Sequence, residues 1–245
     1  LAARRACFPC ARRKQIPEQM SGIAESVADI AEYMQGGFIW SHPHTQENVV
    51  PPTTVPAVIA NLLGAIYNPN IIWDEYSYRV GLAEIETAAM CASLVGYDPD
   101  QAAGFCTFGG TGTILYGVKL GVEKACPGAF SRGVSEPLKL VASSAAHYAK
   151  FNVLGWLGIG TDHLVTIPTD TDNSMDPAAL EDGLRRILDR GEKIAAIIAT
   201  MGTTDAFGID NLQYIVGLRD RLAQEYRLPY LPHIHADAVI GWAWS

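Results

Sequence analysis

The sequence predicts an α/β fold in which a mostly parallel sheet is flanked by helices and preceded by an N-terminal helical segment. In the second half of the chain, short apolar runs alternate with stretches of helical length, and this alternation is typical of parallel strands joined by helices. The run IAAIIAT at 194–200 is apolar on both strand faces, as expected of a central strand that is buried on both sides. A chain of 245 residues with 49% hydrophobic and 18% charged residues can bury a core of this kind.

The first part of the chain lacks this alternation and contains predicted helices instead. A serine start, apolar residues at helical spacing and a glycine stop indicate the first helix, and a segment rich in Pro, His and Thr indicates a loop after it. The predicted elements are a helix over 21–36, an extended loop over 41–54, and helices over 55–69 and 81–98. We therefore divide the chain into an N-terminal segment, residues 1–54, and a large α/β domain, residues 55–245.

Four strands alternate with four further helices in the α/β domain. The strands cover 138–143, 163–169, 194–200 and 230–236, and the helices cover 113–125, about 145–157, 176–191 and 211–227. Ligands of open parallel sheets bind at the carboxyl ends of the strands. The residues that follow each strand are therefore the first candidates for a functional site. They are His147, Asp170 with Asp172, Gly202-Thr203-Thr204, and Asp237.

A glycine-rich segment, FGGTGTILYGVKLG at 108–121, leads into a helix. The unpaired N–H groups and partial positive charge of a helix start suit a phosphate group. Gly109 and Gly110 allow a ligand to approach the backbone closely, and Thr111 and Thr113 supply hydroxyl groups. The spacing matches neither a Walker loop nor a dinucleotide-binding turn, and a simple tight turn is the alternative interpretation.

Asp237 comes directly after an apolar strand, where a carboxylate is costly unless it has a partner. It is either a helix cap or part of a structural ion pair, or it is an anion that pairs with the cation of a ligand. His235, on the same strand face, either orients Asp237 or is a core histidine. His147 alone is more typical of a structural role, but its predicted position at the same sheet edge favours a function.

The segment TMGTTDAFGIDNL at 200–212 begins at the end of the central strand. Its Gly-Thr-Thr turn is expected to place Thr203 and Thr204 at the sheet edge. Asp210 stands just before the next predicted helix and is expected to be its N-cap.

Composition and charge argue against several other classes of protein. The formal net charge of −8 is unlike that of a nucleic-acid-binding protein, and no apolar run approaches the length that spans a membrane. Five cysteines, an odd number without a secretory signal, indicate reduced thiols and a cytoplasmic protein. Cys7 and Cys10 have C-x-x-C spacing but no second pair, so we expect no metal site.

The candidate residues at this sheet edge together describe a site for pyridoxal 5'-phosphate (PLP). They offer a helix start for the phosphate, a carboxylate for a ring-nitrogen cation, an imidazole and a hydroxyl. The sequence resembles the group II PLP-dependent amino-acid decarboxylases, which include glutamate, aromatic-amino-acid and tyrosine decarboxylases. The resemblance runs from about His42 to Gly241 and rests on six motifs in the family's order. They are HPHTQENVVPPTTVPAVIANLLGAIYN, LAEIETAAM, CTFGGTGTILYGVKL, SSAAHYAKFNVLGWLGIG, ATMGTTDAFGIDNL and HIHADAVIG.

The resemblance implies a fold-type-I PLP-dependent transferase fold and a role for each matching position. The implied cofactor-binding residues are Gly110 and Thr111 at the phosphate, His147 stacked on the pyridine ring, Thr204 near the ring hydroxyl, Asp237 at the ring nitrogen, and Ala238 against the ring. His147 and Asp237 would be the catalytic residues. The Pro-rich loop at 43–54 would contribute to the substrate wall, and no metal is implied.

The implied function is decarboxylation of an L-amino acid to an amine and carbon dioxide, in a cytoplasmic homodimer of amino-acid metabolism. The family's Schiff-base lysine follows the conserved aspartate by some tens of residues, and no lysine follows Asp237 here. Lys150 is close to His147, where the family often has a basic residue without a covalent role. We therefore expect a C-terminal segment or a second chain to supply the lysine, and this chain alone to be inactive.

Three residues depart from the family's phosphate loop and leave other interpretations open. Gly112 and Ile114 stand where the family usually carries Glu and Asn or a similar residue, and Phe108 stands where a small residue is common. One alternative is another fold-type-I PLP enzyme, such as an aminotransferase or a carbon–carbon lyase. The other is a non-catalytic decarboxylase-like subunit.

Overall fold

The N-terminal part of the chain forms a helical unit of its own. The computed structural model describes residues 8–12, 15–45 and 50–242. The chain divides into two compact units, Leu1–Thr53 and Thr54–Ser245. In the first unit, helix α1 covers Phe8–Ala11 and α2 covers Ile23–Met34, so the helix predicted over 21–36 is confirmed. Cys7 and residues 46–49 of the predicted Pro-rich loop lie outside the described residues.

Three helices open the second unit. They are α3 at Val55–Tyr67, α4 at Asp74–Ser77 and α5 at Val80–Leu94. Pro56 stands in the first turn of α3, where its fixed φ and missing N–H are tolerated. Although α3 is almost entirely apolar, none of its side chains is buried. No helix in the described part of the chain is long and apolar enough to cross a membrane.

Four parallel strands form a sheet in the order β2-β1-β3-β4. They are β1 at Leu138–Ser143, β2 at Leu164–Ile167, β3 at Lys193–Thr200 and β4 at His233–Asp237. The central strand β3 is buried along all but its first residue, as its apolar sequence predicts. The α/β fold is thus confirmed. Asp237 is the last residue of β4, not the residue after it.

Helices cover both faces of the sheet. After α6 at Gly110–Ala125 and the short α7 at Ala129–Arg132 come α8 at Ala149–Trp156, a 3₁₀ turn at Thr161–His163, α9 at Pro177–Asp189 and α10 at Leu212–Glu225. Val118 of α6 and Leu154 of α8 pack into the core on one face, and Leu184 of α9 and Leu218 of α10 pack into the core on the other. Because both faces are covered, the strand ends are the places where polar residues of the sheet can meet a ligand.

Two glycines allow α6 to lie directly on β3 and β4. A Cβ at Gly121 would overlap the carbonyl oxygen of Ala195, and a Cβ at Gly117 would overlap the ring of His235. This close contact fixes α6 antiparallel to the strands. Its N-terminus therefore lies at the carboxyl edge of the sheet.

Candidate functional site

The carboxyl ends of β3 and β4 meet beside the N-terminus of α6. Thr200, the last residue of β3, pairs in register with Asp237, the last residue of β4. At the start of α6, a Cβ added to Gly110 would lie 3.0 Å from Cγ2 of Val239, two residues after Asp237. The predicted phosphate loop and the predicted carboxylate are thus neighbours in the structure.

Asp237 is a carboxylate that is buried at the end of β4. It is 9% exposed, and burial raises the pKa of its carboxyl, while a hydrogen bond from the Val239 N–H and the nearby His147 oppose that rise. Among the described residues, Asp237 caps no helix and forms no ion pair with lysine or arginine. Of the interpretations that the sequence leaves open, a carboxylate that pairs with a ligand cation agrees best with these contacts.

The first turn of α6 has no side-chain cap, so its N–H groups are available to a ligand. Its N-cap residue, Gly109, has φ +109°, a backbone conformation that favours glycine. The Thr107 hydroxyl donates to the Gly109 carbonyl oxygen at 2.8 Å and lies 2.9 Å from the Thr113 hydroxyl. These two threonines therefore shape the turn, whereas Gly110 and Thr111 are half-buried at the first two helical positions.

His147 and Thr204 line one cleft of about 420 Å³. The N–H of Ala149 donates to Nδ1 of His147 at 3.2 Å, so a neutral His147 carries its proton on Nε2. The structure corrects the helix predicted over 145–157, because α8 begins only at Ala149. A turn after β1, not a helix, therefore carries His147 to the cleft.

Thr203 and Thr204 occupy different environments, although both were expected at the sheet edge. The Thr203 side chain is buried, and its hydroxyl accepts a hydrogen bond from the Gly208 N–H at 2.9 Å. Thr204 lines the cleft. Thr203 therefore holds the turn closed, and Thr204 is the residue that can meet a ligand.

The sequence predicts Asp210 as the N-cap of the following helix, and this prediction is wrong. Asn211 is the N-cap of α10, and its side chain accepts the Tyr214 N–H at 3.0 Å. Asp210 is 1% exposed and accepts the N–H groups of Met175 and Thr200, each at 2.7 Å. It therefore ties the end of β3 to the segment before α9.

Asp170 and Asp172, the candidates after β2, do not line the cleft with His147 and Thr204. Asp170 accepts hydrogen bonds from the Ser174 hydroxyl at 2.9 Å and from the N–H groups of Asp172 and Ser174. These bonds, the Ser174 hydroxyl above all, lower the pKa of Asp170. Asp170 is therefore used to close its own loop.

Comparisons with known proteins bear on this arrangement of residues. No family model matches the chain. The chain is 30% identical over 228 residues to the L-2,4-diaminobutyrate decarboxylase of Rhizobium meliloti (strain 1021), a match that covers 92% of this chain and 43% of that protein. A protein of the same name from Acinetobacter baumannii is 28% identical over 239 residues, covering 91% of this chain and 45% of the relative. The chain is homologous to the group II PLP-dependent decarboxylases. It spans less than half the length of these two relatives.

Solved structures of decarboxylases share the fold. The glutamate decarboxylase domain of a Vibrio parahaemolyticus diaminobutyrate-pyruvate transaminase and L-2,4-diaminobutyrate decarboxylase matches with a TM-score of 0.81 at 22% identity, over 97% of this chain and 52% of that chain. Mouse CSAD in its apo form matches with a TM-score of 0.81 at 22% identity, over 93% of this chain and 46% of that chain. The sheet and helices described above are therefore arranged as in these two structures.

The departures from the family's phosphate loop fit one another in space. A Cβ at Gly112 would lie 3.1 Å from the Phe108 ring and 3.0 Å from Cβ of Thr107. The glutamate that the family usually carries at position 112 does not fit here unless Phe108 moves. Ile114 is 2% exposed in the core between α6 and the sheet, so it packs and does not contact a ligand.

Two buried ionisable residues near the site have contacts in the structure that differ from what the sequence predicted or that it did not predict. Lys150 lines the same cleft as His147, and Asp210 anchors the loop that carries Thr204. For Asp210 a signal exists, since Asn211 beside it is an equally good N-cap residue and leaves the aspartate for another role. For Lys150 there is no such signal, because its burial depends on how the turn after β1 closes.

His235 lies under α6 as a neutral core histidine. Its ring packs against Gly117, and burial lowers its pKa to about 4. His233, two residues earlier, has a pKa of about 4 because of burial, with nearby Lys124 adding to the effect. Both imidazoles are therefore uncharged at neutral pH.

Replacing His235 with glutamine should make the protein less sensitive to acid. Because the folded-state pKa of His235 is about 4 and its ordinary value is 6.5, the unfolded chain binds the proton more tightly. The stability that this neutral histidine contributes is present above pH 6.5 and is lost as the pH falls toward 4. Between pH 7 and 4.5, wild type should lose up to about 3 kcal/mol more unfolding free energy than His235→Gln, measured by urea denaturation at each pH. Equal losses in the two proteins would contradict the assignment of His235 as a buried neutral group.

Proposed function

We propose that the protein of which this chain forms part decarboxylates an L-amino acid to an amine and carbon dioxide, with PLP as its cofactor. The observation that carries the proposal is the buried carboxylate of Asp237 beside the uncapped start of α6, with His147 near enough to influence its pKa. A buried carboxylate that pairs with no lysine or arginine among the described residues fits a cofactor that brings a ring cation.

The residues of this edge fit PLP at three points. Gly110 has no side chain where Val239 approaches, and the N–H groups at the start of α6 suit a phosphate. The N–H of Ala149 donates to Nδ1 of His147, whose lone pair lies in the plane of the imidazole. The ring of His147 can therefore stack on a cofactor and keep this hydrogen bond. Thr204, in the same cleft, supplies a hydroxyl for the ring hydroxyl of the cofactor.

Decarboxylation requires a site that keeps the ring nitrogen of PLP protonated. When bound, PLP takes up the negative charge that remains at Cα after carbon dioxide leaves. Asp237 supports this by holding a proton at the ring nitrogen, since an ion pair in a buried setting favours the charged forms of both groups. His147 and Ala238 fix the ring plane, and Gly110 and Thr111 hold the phosphate.

The lysine of the reaction is, in our proposal, contributed by a segment outside these 245 residues or by a second chain. No lysine follows Asp237, and the two relatives are more than twice as long as their matched parts. In the described part of the chain, β4 is an edge strand of the sheet, so a further strand can pair with the strand that ends in Asp237.

We further propose a homodimer in the cytoplasm. Along α3, Val58, Leu62 and Ile66 are each more than half exposed, and an apolar surface of this kind is typical of an interface. Cys91, Cys106 and Cys126 are free thiols, as a reducing compartment favours.

The decisive experiment measures products of the full-length protein supplied with PLP. L-2,4-Diaminobutyrate is the first substrate to test, because the relatives of that name match nine-tenths of this chain, and L-tyrosine and acidic amino acids complete the panel. We expect carbon dioxide release without transfer of the amino group, and covalent attachment of PLP to one lysine after borohydride reduction. Amino-group transfer without carbon dioxide would indicate an aminotransferase, and absence of PLP binding would indicate a non-catalytic subunit. Either result would refute the proposal.

A further inference from the structure

Lys150 is a buried lysine at the start of α8, beside the candidate site. It is 3% exposed. Its Nζ donates to the carbonyl oxygens of Ser143 at 2.7 Å and Ser144 at 3.0 Å, and it lies 5.6 Å from the centroid of the Phe151 ring. Within the part of the chain that the structure describes, no carboxylate forms an ion pair with it. The ammonium is therefore held by backbone carbonyls and one aromatic face.

Burying the charged side chain of Lys150 lowers the stability of the folded protein. Burial lowers the pKa of Lys150, which shows that the charged form is disfavoured at this position. An apolar side chain of similar length would avoid this cost, because a charge is unfavourable where water is excluded. A gain in the free energy of folding does not explain why a lysine stands here.

The hydrogen bonds of Lys150 enclose His147 from both sides. Before His147, the ammonium binds the carbonyl oxygens of Ser143 and Ser144, where β1 ends and the turn begins. After His147, the N–H of Lys150 donates to the carbonyl oxygen of His147 at 3.2 Å, and the N–H of Ala149 donates to its ring Nδ1. One residue thus joins both ends of the turn that carries the imidazole.

We propose that Lys150 is the positioning residue for His147, holding the turn at 143–147 closed so that the imidazole ring faces the cleft at a fixed angle. The inference rests on the proposed function, in which His147 stacks on PLP. Lys150 lines the same cleft as His147 and Thr204, so a shift of the turn changes the wall against which the cofactor ring lies. Small shifts of a positioning group are costly, since a misplacement of about 1 Å can reduce a rate by about 100-fold.

The test compares Lys150→Met with Lys119→Met in the full-length protein. Lys119 lies on α6, with its Nζ 5.1 Å from the Phe130 ring centroid, and it does not line the cleft. For Lys150→Met we expect an unchanged or higher urea midpoint, a visible circular-dichroism band of bound PLP weakened by about half, and kcat reduced by about 10- to 100-fold with KM changed less than about 3-fold. Lys119→Met should match wild type in all four measurements. A dichroism band and kcat equal to wild type in Lys150→Met would overturn the proposal.

A double-mutant cycle with His147→Ala separates positioning from a general structural role. If Lys150 acts through the imidazole, Lys150→Met should lower kcat by less than about 2-fold in the His147→Ala background. A loss as large as in the wild-type background would overturn the proposal. Lys150→Gln, which keeps one donor for a carbonyl, should give an intermediate dichroism band and provides the comparison if Lys150→Met does not fold. If wild type itself binds no PLP, the proposed function is refuted. If wild type binds PLP and Lys150→Met has the same dichroism band and kcat, only the role of Lys150 is refuted.

Discussion

Replacing Asp237 with asparagine should lower kcat for decarboxylation by about 100- to 4,000-fold in the full-length protein. The carboxylate is 9% exposed and has no lysine or arginine partner among the described residues, so a bound ring cation would be its main partner. Removing one member of a buried charge pair costs about 3–5 kcal/mol, and each 1.4 kcal/mol corresponds to about a tenfold change. Asparagine has nearly the same shape, so the loss reports the charge and not the packing.

The measurements are steady-state kinetics with saturating PLP and the absorbance spectrum of the bound cofactor. Asp172→Asn is the matched control, since Asp172 is an exposed aspartate in the loop after β2 and has no role in the proposed cofactor site. It should leave kcat and the spectrum within about 2-fold of wild type. Equal kcat values for Asp237→Asn and wild type would remove Asp237 from the site. A loss of the same size in Asp172→Asn would show that the effect is not specific to the carboxylate at the end of β4.

The sheet was predictable because its sequence signal is local. β1 covers the predicted residues 138–143, and β3, whose run is apolar on both faces, differs from its predicted range by one residue. Asp237 was expected directly after β4 and is its last residue, so its place at the strand end was predicted to within one residue.

Local polar contacts at the site were less predictable, because they depend on how the chain folds back. Thr203 and Thr204 are chemically identical neighbours, yet only the turn to Gly208 decides that Thr203 is buried and Thr204 lines the cleft. Asp210 and Asn211 are both good caps, and the choice falls to Asn211 because Met175 and Thr200 bind Asp210. The geometry of the site thus depends on contacts between residues far apart in the sequence.

The position of α6 also depends on a distant contact. That contact lies far along the helix from the glycine-rich start, which binds the phosphate in our proposal. Gly121 lies near the opposite end of the helix, where the backbone of Ala195 in β3 leaves no room for a side chain. A helix is stiff over this length, so a displacement at Gly121 moves the start of α6 as well. The phosphate cradle therefore depends on the close approach of α6 to the sheet as much as on the glycines that form it.

Replacing Gly121 with alanine should destabilise the protein by about 1 kcal/mol and weaken PLP binding. The added Cβ would overlap the Ala195 carbonyl oxygen and would lie 3.0 Å from Cβ of His233. A backbone oxygen in a central strand cannot move aside as a flexible side chain can, so α6 must shift, and overpacking of this kind costs about 1–3 kcal/mol. This cost exceeds the gain of about 1 kcal/mol that alanine brings to a helix interior.

Gly217→Ala is the matched control, because Gly217 is an exposed helical glycine with nothing within 4 Å of an added Cβ. It should stabilise the protein by about 0.5–1 kcal/mol, while Gly121→Ala shifts the urea midpoint in the opposite direction. Titration with PLP completes the test, since a shifted α6 should raise the Kd for PLP, whereas Gly217→Ala should leave it unchanged. If both substitutions stabilise the protein, α6 does not lie as close to β3 as the structure indicates. If Gly121→Ala lowers stability but leaves the Kd for PLP unchanged, the start of α6 is positioned by its own loop and not by the sheet beneath it.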